Sequence, residues 1–304
     1  MKQIFIHTVV AASFCLFASC TQDDALESAS DVRRPLVFSV VDAGYHSASA
    51  GASATRIIEE DFTTKFQEND SCGLFVVKNG LVEMANIKLK AIATEDGETG
   101  TITWVPQVEQ ELWYTKGTSY YLYYPWQESW EGMPEVGTNR LVADDAGFFE
   151  ELIASWMPAA EQSTYKTYTA NDLMTATAQI NESDTHARIS FTMKHQMGLA
   201  VLLLPEPTTP PTEETPEEKA AASEIGGPVF DDASVKPCLL APGVYRYLFN
   251  PTDYDFKFSG SYQRTGVQRL FEIEVNPTEI NSIGNGVFQA GSYIKYVVDD
   301  ATEE

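Results

Sequence analysis

Basic residues are scarce in this chain of 304 residues. It has 20 Lys and Arg against 44 Asp and Glu, a formal net charge of −24. Nucleic-acid binding requires a basic patch that neutralises phosphates, and anionic lipid likewise attracts basic segments. We therefore predict no nucleic-acid partner and no charge-driven docking on lipid. With 14 Tyr and 16 Phe, the composition is typical of a soluble extracellular protein whose acidic side chains form a solvated surface.

Histidine is also rare, with four residues, and no two of them have the spacing of a metal site. The chain contains no G-x-S-x-G elbow, P-loop or dinucleotide fingerprint. His195 falls on the inward face of a predicted strand, where a histidine is more often a hydrogen-bonded core residue than a base. We therefore predict no catalytic residue, no enzymatic activity, no metal and no cofactor.

Only four cysteines are present, and two of them belong to the N-terminal region. Residues 1–19 combine one Lys with an apolar run too short to span a membrane, which indicates a signal peptide. The run ends in Leu-Phe-Ala-Ser before Cys20, which resembles a bacterial lipobox. This predicts cleavage before Cys20 and its lipidation, so that several acyl chains anchor the protein. The alternative is a plain secretory signal with an incidental cysteine.

The other two cysteines, Cys72 and Cys238, lie in different halves of the chain. We favour two buried free thiols over a bridge between the halves, and the alternative stays open.

Alternating apolar and polar residues predict β-strands along most of the chain. From Ile189 to Leu203 the period is two, and Gly198 interrupts it, so we expect two strands or one kinked strand. One helix is predicted over 144–156, with Asp144 or Asp145 as its cap. Further strands are expected at 36–41, 72–77, 87–93, 101–106, 119–126, 244–249, 254–258, 270–275 and 292–298. Short strands separated by turn residues favour β-sandwiches.

The length suits two domains. After a polar tether at 20–35, we expect an N-terminal β-sandwich domain at 36–185, with the helix in an insertion, and a C-terminal one at 186–304. The Pro-, Thr- and Glu-rich residues 205–228 are predicted to be a disordered insertion of the second domain.

The order of several motifs resembles the fimbrillin family, the type V pilus subunits and related surface lipoproteins of Bacteroidia. These motifs are the lipobox at Cys20, LVFSVV followed by Thr55-Arg56, DFTTKFQENDSCGLFVV, YYLYYPW, NDLMTATAQ with ISFTMKHQMGLAVLLL, and the final VFQAGSYIKYVV. The resemblance implies an all-β protein with two tandem β-sandwich domains of transthyretin-like topology.

The resemblance also implies a function as a pilus subunit. Family precursors reach the outer membrane as lipoproteins, and a trypsin-like protease cuts after an Arg in the loop that follows the first strand. A neighbouring subunit then fills the open groove with its own strand, which is β-augmentation. The best match for the cut is Arg56, with Arg33 second because Arg34 precedes Pro35; the mature chain would begin at Ile57. The alternative is that Arg56 is a surface arginine that is never cut.

The residues after Val298 are acidic and lack apolar alternation, so they do not resemble an inserting strand. This favours a tip or accessory subunit over a stalk subunit, on the cell surface or in a fimbrium and serving adhesion.

The rival hypothesis is an uncleaved, lipid-anchored surface protein that binds a glycan or a host protein. Its candidate binding residues are the aromatics Tyr121, Tyr123, Trp126 and Trp130, which could stack on a ligand. At strand spacing such residues more often pack in a core.

Overall fold

The computed structural model describes residues 34–48, 62–94, 102–109, 111–205, 228–264, 267–276 and 288–298. The strands are β1 (Arg34–Asp42), β2 (His46–Ser47), β3 (Ser71–Lys78), β4 (Leu81–Ala93), β5 (Ile102–Pro106), β6 (Trp113–Tyr114), β7 (Thr118–Tyr124), β8 (Met174–Thr177), β9 (Gln179–Glu182), β10 (Ala187–His195), β11 (Gly198–Leu203), β12 (Val229–Phe230), β13 (Cys238–Ala241), β14 (Val244–Phe249), β15 (Phe256–Arg264), β16 (Val267–Val275) and β17 (Ser292–Val297). Three short helices accompany them: α1 (Asp145–Phe148), α2 (Glu150–Ser155) and α3 (Tyr165–Ala170). The prediction of a mainly β protein is confirmed. Within the described ranges, no helix has the length and apolar character needed to cross a bilayer.

Seven strands form a sheet that closes on itself. The order is β1, β5, β4, β3, β7, β8 and β10, and β10 pairs again with β1. The closing ladder is parallel and places Leu36 opposite Ala187 and Asp42 opposite Met193. The short strands β6 and β9 extend the sheet at β1 and β10. Alternate side chains point inward and form a first core that includes Phe38, Leu89 and Phe191.

This closed sheet differs from the transthyretin-like sandwich expected for the N-terminal half. The reason is the position of β1, which lies between β5 and β10 and joins the two ends of the sheet. Alternation in a sequence identifies a strand's buried face but not its neighbours, so the closure was not predictable from the pattern.

The C-terminal half contains two sheets. One has five strands in the order β13, β14, β11, β17 and β2, and the other has three in the order β12, β15 and β16. Side chains from both pack together in a second core that includes Leu202, Phe249, Phe258 and Phe271, as in face-to-face sheet packing. Because β2 pairs with β17, the segment that follows β1 reaches the second half of the protein.

The predicted interruption at Gly198 separates two strands that belong to different sheets. β10 lies in the closed sheet and β11 in the five-stranded sheet, so the chain changes sheets at residues 196–197. A Cβ atom on Gly198 would lie 2.6 Å from the ring of Phe249 and 2.7 Å from that of Phe288, which explains the need for glycine. The expected domain boundary at 185/186 falls before β10, and the division into domains 36–185 and 186–304 stays a prediction.

The helix predicted over 144–156 is present as α1 and α2, with Phe149 between them. Asp144 caps it by accepting a hydrogen bond of 2.9 Å from the backbone N–H of Gly147. Helix α3 was not predicted, although Thr164 and Thr167 form a capping box at its start. The insertion predicted at 205–228 lies outside the described residues except for its two end positions.

A third core joins the two halves. It contains Phe75 and Tyr123 from the closed sheet, Phe148 from α1, and Leu199 and Leu248 from the five-stranded sheet. The helical segment therefore packs against side chains of both halves.

Substitution Leu248→Ala should lower the free energy of unfolding by about 2–5 kcal/mol, because it leaves a cavity in this shared core. The matched control is Leu141→Ala, since Leu141 is 84% exposed and should change stability by less than about 0.5 kcal/mol. Denaturant unfolding of both variants tests this. If Leu248→Ala and Leu141→Ala had the same free energy of unfolding, packing at Leu248 in this shared core would not stabilise the protein.

Candidate functional site

A buried histidine lies between two carboxylates at the point where the chain changes sheets. His195 Nδ1 lies 2.7 Å from Asp172 Oδ1. Its Nε2 lies 2.8 Å from Asp42 Oδ1, an ion-pair contact whose angle falls outside hydrogen-bond geometry. The side chains of His195 and Asp172 are 0% exposed, and that of Asp42 is 3% exposed. The interpretation of His195 as a paired core residue is confirmed.

The backbone places each member of this cluster at a strand end. Asp42 is the last residue of β1 and His195 the last of β10, which run parallel side by side. Asp172 follows α3 and comes shortly before β8, and β8 pairs with β10 through His195 and Met174. The three side chains therefore converge at one end of the closed sheet.

Neighbouring polar groups hold both carboxylates. Asp42 accepts hydrogen bonds from the backbone N–H groups of Gly44, at 2.8 Å, and Thr64. Asp172 accepts bonds from the hydroxyls of Tyr45, at 2.8 Å, and Thr64, at 3.0 Å. The ring of Tyr45 also stacks on His195, with the ring centroids 3.7 Å apart. We call Asp42, Tyr45, Thr64, Asp172 and His195 the histidine clamp.

The charges in the histidine clamp outweigh the cost of burial. Burial alone would lower the pKa of His195, but Asp172 and Asp42 raise it to about 9. Burial alone would raise the pKa of Asp42, but His195 and the backbone N–H groups lower it. At neutral pH His195 is therefore an imidazolium ion, which can bind carboxylates but cannot act as a general base.

A second polar cluster lies beside the histidine clamp. Buried Asp145 accepts hydrogen bonds from Thr175, at 2.7 Å, and Lys194, at 3.0 Å, and Gln196 donates to the Thr175 hydroxyl. Residues of both clusters contribute to the lining of a cavity of about 340 Å³, which is formed by Ala43, Gly44, His46, Asp144, Asp145, Ala146, Lys194, His195, Gln196, Ala290 and Gly291. Its lining carries both positive and negative side chains and therefore points to no single class of ligand.

Within the described ranges, no group of three or more His, Cys, Asp and Glu side chains could hold a metal ion.

The predicted lipidation and processing residues, Cys20, Arg56 and Arg33, lie outside the described residues. In sequence Arg56 falls between Ala48 and Phe62, so β1 and β2 precede it and the rest of the described chain follows it. Lipidation and cleavage stay predictions.

The stacking role considered for Tyr121 and Tyr123 is wrong. Tyr121 is 4% exposed and stacks on Phe148, and Tyr123 is fully buried, so neither ring has a face free for a ligand. Trp130 packs against Phe75 in the same core. Trp126 is half-buried, and the Lys88 ammonium lies 4.1 Å from its ring centroid. These aromatic residues pack mainly in the core, which is the alternative that strand spacing favours.

Cys72 and Cys238 are free thiols, and both are buried. Burial raises the pKa of each. The prediction of two buried thiols is confirmed.

Sequence reasoning did not find the histidine clamp, because its members lie far apart in the chain. Asp42 carries one usable signal that was missed: it continues the period of two that points Phe38 and Val40 inward, which would place a carboxylate on the buried face. A buried charge requires a partner, and inward-pointing His195 was a candidate.

An all-β architecture with one closed sheet and one pair of packed sheets defines the structural class. The model of the fimbrillin-like family matches residues 55–227. The chain belongs to this family, which confirms the resemblance.

Two relatives from Bacteroides ovatus are informative. A protein named "Putative fimbrium tip subunit Fim1C" is 33% identical over 211 residues, which cover 67% of this chain and 36% of the relative. The crystal structure of a fimbrial protein is 25% identical with a TM-score of 0.59, and it matches 88% of this chain and 49% of that protein. The chain thus spans about a third to a half of the length of these relatives.

The histidine clamp should make stability depend on pH in a defined window. The folded pKa of His195, about 9, lies above its ordinary value of 6.5. Its stabilising effect is therefore complete below pH 6.5 and is lost as the pH rises through 9, a change on the order of 3 kcal/mol. We expect the difference in unfolding free energy between wild type and His195→Gln to shrink across that window.

The measurement is denaturant unfolding from pH 6 to pH 10. Tyr45 should stay neutral throughout, because burial raises its pKa well above 10. The control His186→Gln removes an imidazole that contacts the hydroxyls of Ser183 and Thr185, and it should leave the pH profile unchanged. If the difference in unfolding free energy between wild type and His195→Gln stayed constant from pH 6 to pH 10, a charged His195 would be contradicted.

Proposed function

We propose that the chain is a fimbrial subunit of the type V pilus kind, cut by a trypsin-like protease after Arg56 and assembled by β-strand exchange. The observation that carries this proposal is the position of β1. It closes the first sheet, yet it precedes Arg56 in sequence, as β2 does. One cut would therefore detach both strands from the rest of the protein.

The pairing of β1 suits a strand that is replaced. On one side it pairs with β10 over the whole of Leu36–Asp42. On the other side it pairs with β5 only through Phe38 and Trp104, and with β6 through its first two residues. Its departure would leave a long row of unpaired N–H and C=O groups on β10, which is a template for an incoming strand.

The side chains of β1 support the same proposal. Phe38 and Val40 are buried, and with half-buried Leu36 they fill the first core. On the opposite face Val37 and Val41 are 41% and 52% exposed, so β1 can leave without displacing a second layer. The vacated groove would be apolar, which matches the alternating face of another strand.

We further propose that Cys20 is lipidated and anchors the precursor in the outer membrane before processing. A tip or accessory role is supported by the likeness to a relative named as a fimbrium tip subunit. The partners would be other pilus subunits and the processing protease, and the exposed end of the fimbrium would serve adhesion to a host protein or glycan.

Substitution Arg56→Ala should prevent both processing and assembly, because the peptide bond that joins β1 and β2 to the rest stays intact. Mass spectrometry and native electrophoresis of the protein shaved from intact cells that express each variant test this. We expect wild type to begin at Ile57 and to run in oligomers with other pilus subunits, and Arg56→Ala to stay monomeric.

The matched control is Arg33→Ala, which removes the second-choice site and should behave like wild type. Two outcomes would contradict the proposal. One is that Arg56→Ala forms oligomers. The other is that wild type stays monomeric although it has been cut at Arg56 and has lost the residues before Ile57.

A further inference from the structure

The inward face of β1 carries a specific order of side chains. Leu36, Phe38 and Val40 are apolar and face the first core. Two residues further on, Asp42 continues the same face, and its side chain is only 3% exposed. The strand therefore ends its apolar stripe with a buried carboxylate, which is costly unless a partner neutralises it.

The partner of that carboxylate stays behind when β1 leaves. His195, Asp172 and Thr64 all follow Arg56 in sequence, whereas Asp42 and Tyr45 precede it. After a cut at Arg56 and release of the segment, His195 would keep Asp172 on Nδ1 and lose Asp42 from Nε2. The retained chain then presents the Nε2 edge of this imidazole at one end of an apolar groove.

We propose that the pair His195–Asp172 binds a carboxylate of the strand that replaces β1 and so determines its register, an inference that rests on the strand exchange proposed above. The partner is an extended segment with three apolar side chains at alternate positions, followed two residues later by Asp or Glu. His195 is the specificity-determining residue of the groove.

The physical reason is the cost of any other register. A slip of one residue turns the apolar face of the incoming strand away from the core. A slip of two residues preserves the alternation but places an apolar side chain or an empty position at His195 Nε2. Leaving the buried Nε2 of His195 without its carboxylate partner weakens binding by about 10- to 100-fold. The apolar stripe alone would tolerate the two-residue slip, so the carboxylate supplies the discrimination.

The required pattern also occurs near the end of this chain. Ile294, Tyr296 and Val298 alternate, and Asp300 follows two residues later, in the same order as Leu36, Phe38, Val40 and Asp42. The acidic residues after Val298, which argued against insertion into a purely apolar groove, place a carboxylate where Asp42 stands in β1. In this chain Ile294 and Tyr296 belong to β17, which pairs with β11, so the pattern illustrates the chemistry of a donor segment and does not identify the donor.

The test uses labelled peptides that copy residues 34–48. The full chain is cut after Arg56, the released segment is removed in moderate denaturant, and the retained chain is returned to buffer at pH 7. Fluorescence anisotropy then compares a wild-type peptide with peptides carrying Asp42→Asn and Asp42→Glu. We expect Asp42→Asn to bind about 10- to 100-fold more weakly and Asp42→Glu to retain most of the affinity.

The retained chain is the acceptor of the peptide. An acceptor that carries His195→Gln separates the contribution of His195 to Asp42 binding from that of the backbone N–H groups of Gly44 and Thr64, which also bind Asp42. With this acceptor the preference for Asp over Asn should disappear. If His195→Gln does not fold, the wild-type acceptor above pH 9 replaces it, because His195 then loses its proton. Tyr45 and Tyr168 stay neutral there, since burial raises the pKa of both.

Each outcome decides the matter. Equal binding of the Asp and Asn peptides, or a preference that persists without the imidazolium, would overturn the role of His195 while strand exchange stands. Failure of every peptide to bind would overturn both the inference and the proposed exchange.

Discussion

The contact on which the rest of the structure depends is the ion pair between buried His195 and the carboxylates of Asp42 and Asp172. Two carboxylates and one imidazolium lie where water does not reach, and a buried charge is tolerated only when it is paired. The contact therefore fixes the end of β1, the start of β8 and the end of β10 relative to one another. The chain passes from the closed sheet to the five-stranded sheet directly after His195, so the same contact determines where the two halves of the protein meet.

The proposed strand exchange places two opposite requirements on β1, and this arrangement meets both. The strand must be stable in the precursor, and it is: a parallel ladder, an apolar stripe and a charged end hold it against β10. It must also be able to leave, and its outer face is partly exposed while its second edge is only sparsely paired. Among the described residues before Arg56, buried Tyr45 belongs to the core that joins the halves, and half-buried Ala48 packs against the C-terminal core. The other members of these two cores follow Arg56, so most of their packing would survive the loss of the segment. The remaining groove would keep His195 and Asp172 as its charged end.

Local patterns predicted much of this structure. The period of two identified β10 and the residues it buries, and it located β11, which is buried on both faces. The apolar face of 144–156 identified the helical segment. The missed features depend on contacts between distant segments. The alternation in β1 places Asp42 on the buried face, but no local pattern shows that β1 pairs with β10 or that Asp42 meets Asp172 and His195, because each contact requires the three-dimensional register. The aromatic run at Tyr121 and Tyr123 was ambiguous since a stacking surface and a packed core have the same spacing, and only the position of α1 above it decides between them.

Hydrogen–deuterium exchange of the backbone amides in β10, before and after the cut at Arg56, tests most directly whether β1 is a removable part of the closed sheet. In the intact chain the amides of residues 187–193 that bond to β1 should exchange slowly. After the cut and removal of the released segment they should exchange fast, while the amides that bond to β8 and β9 stay protected. Unchanged protection of both sets in a chain that has lost β1 would contradict the account, because another part of the protein would then hold that edge of β10.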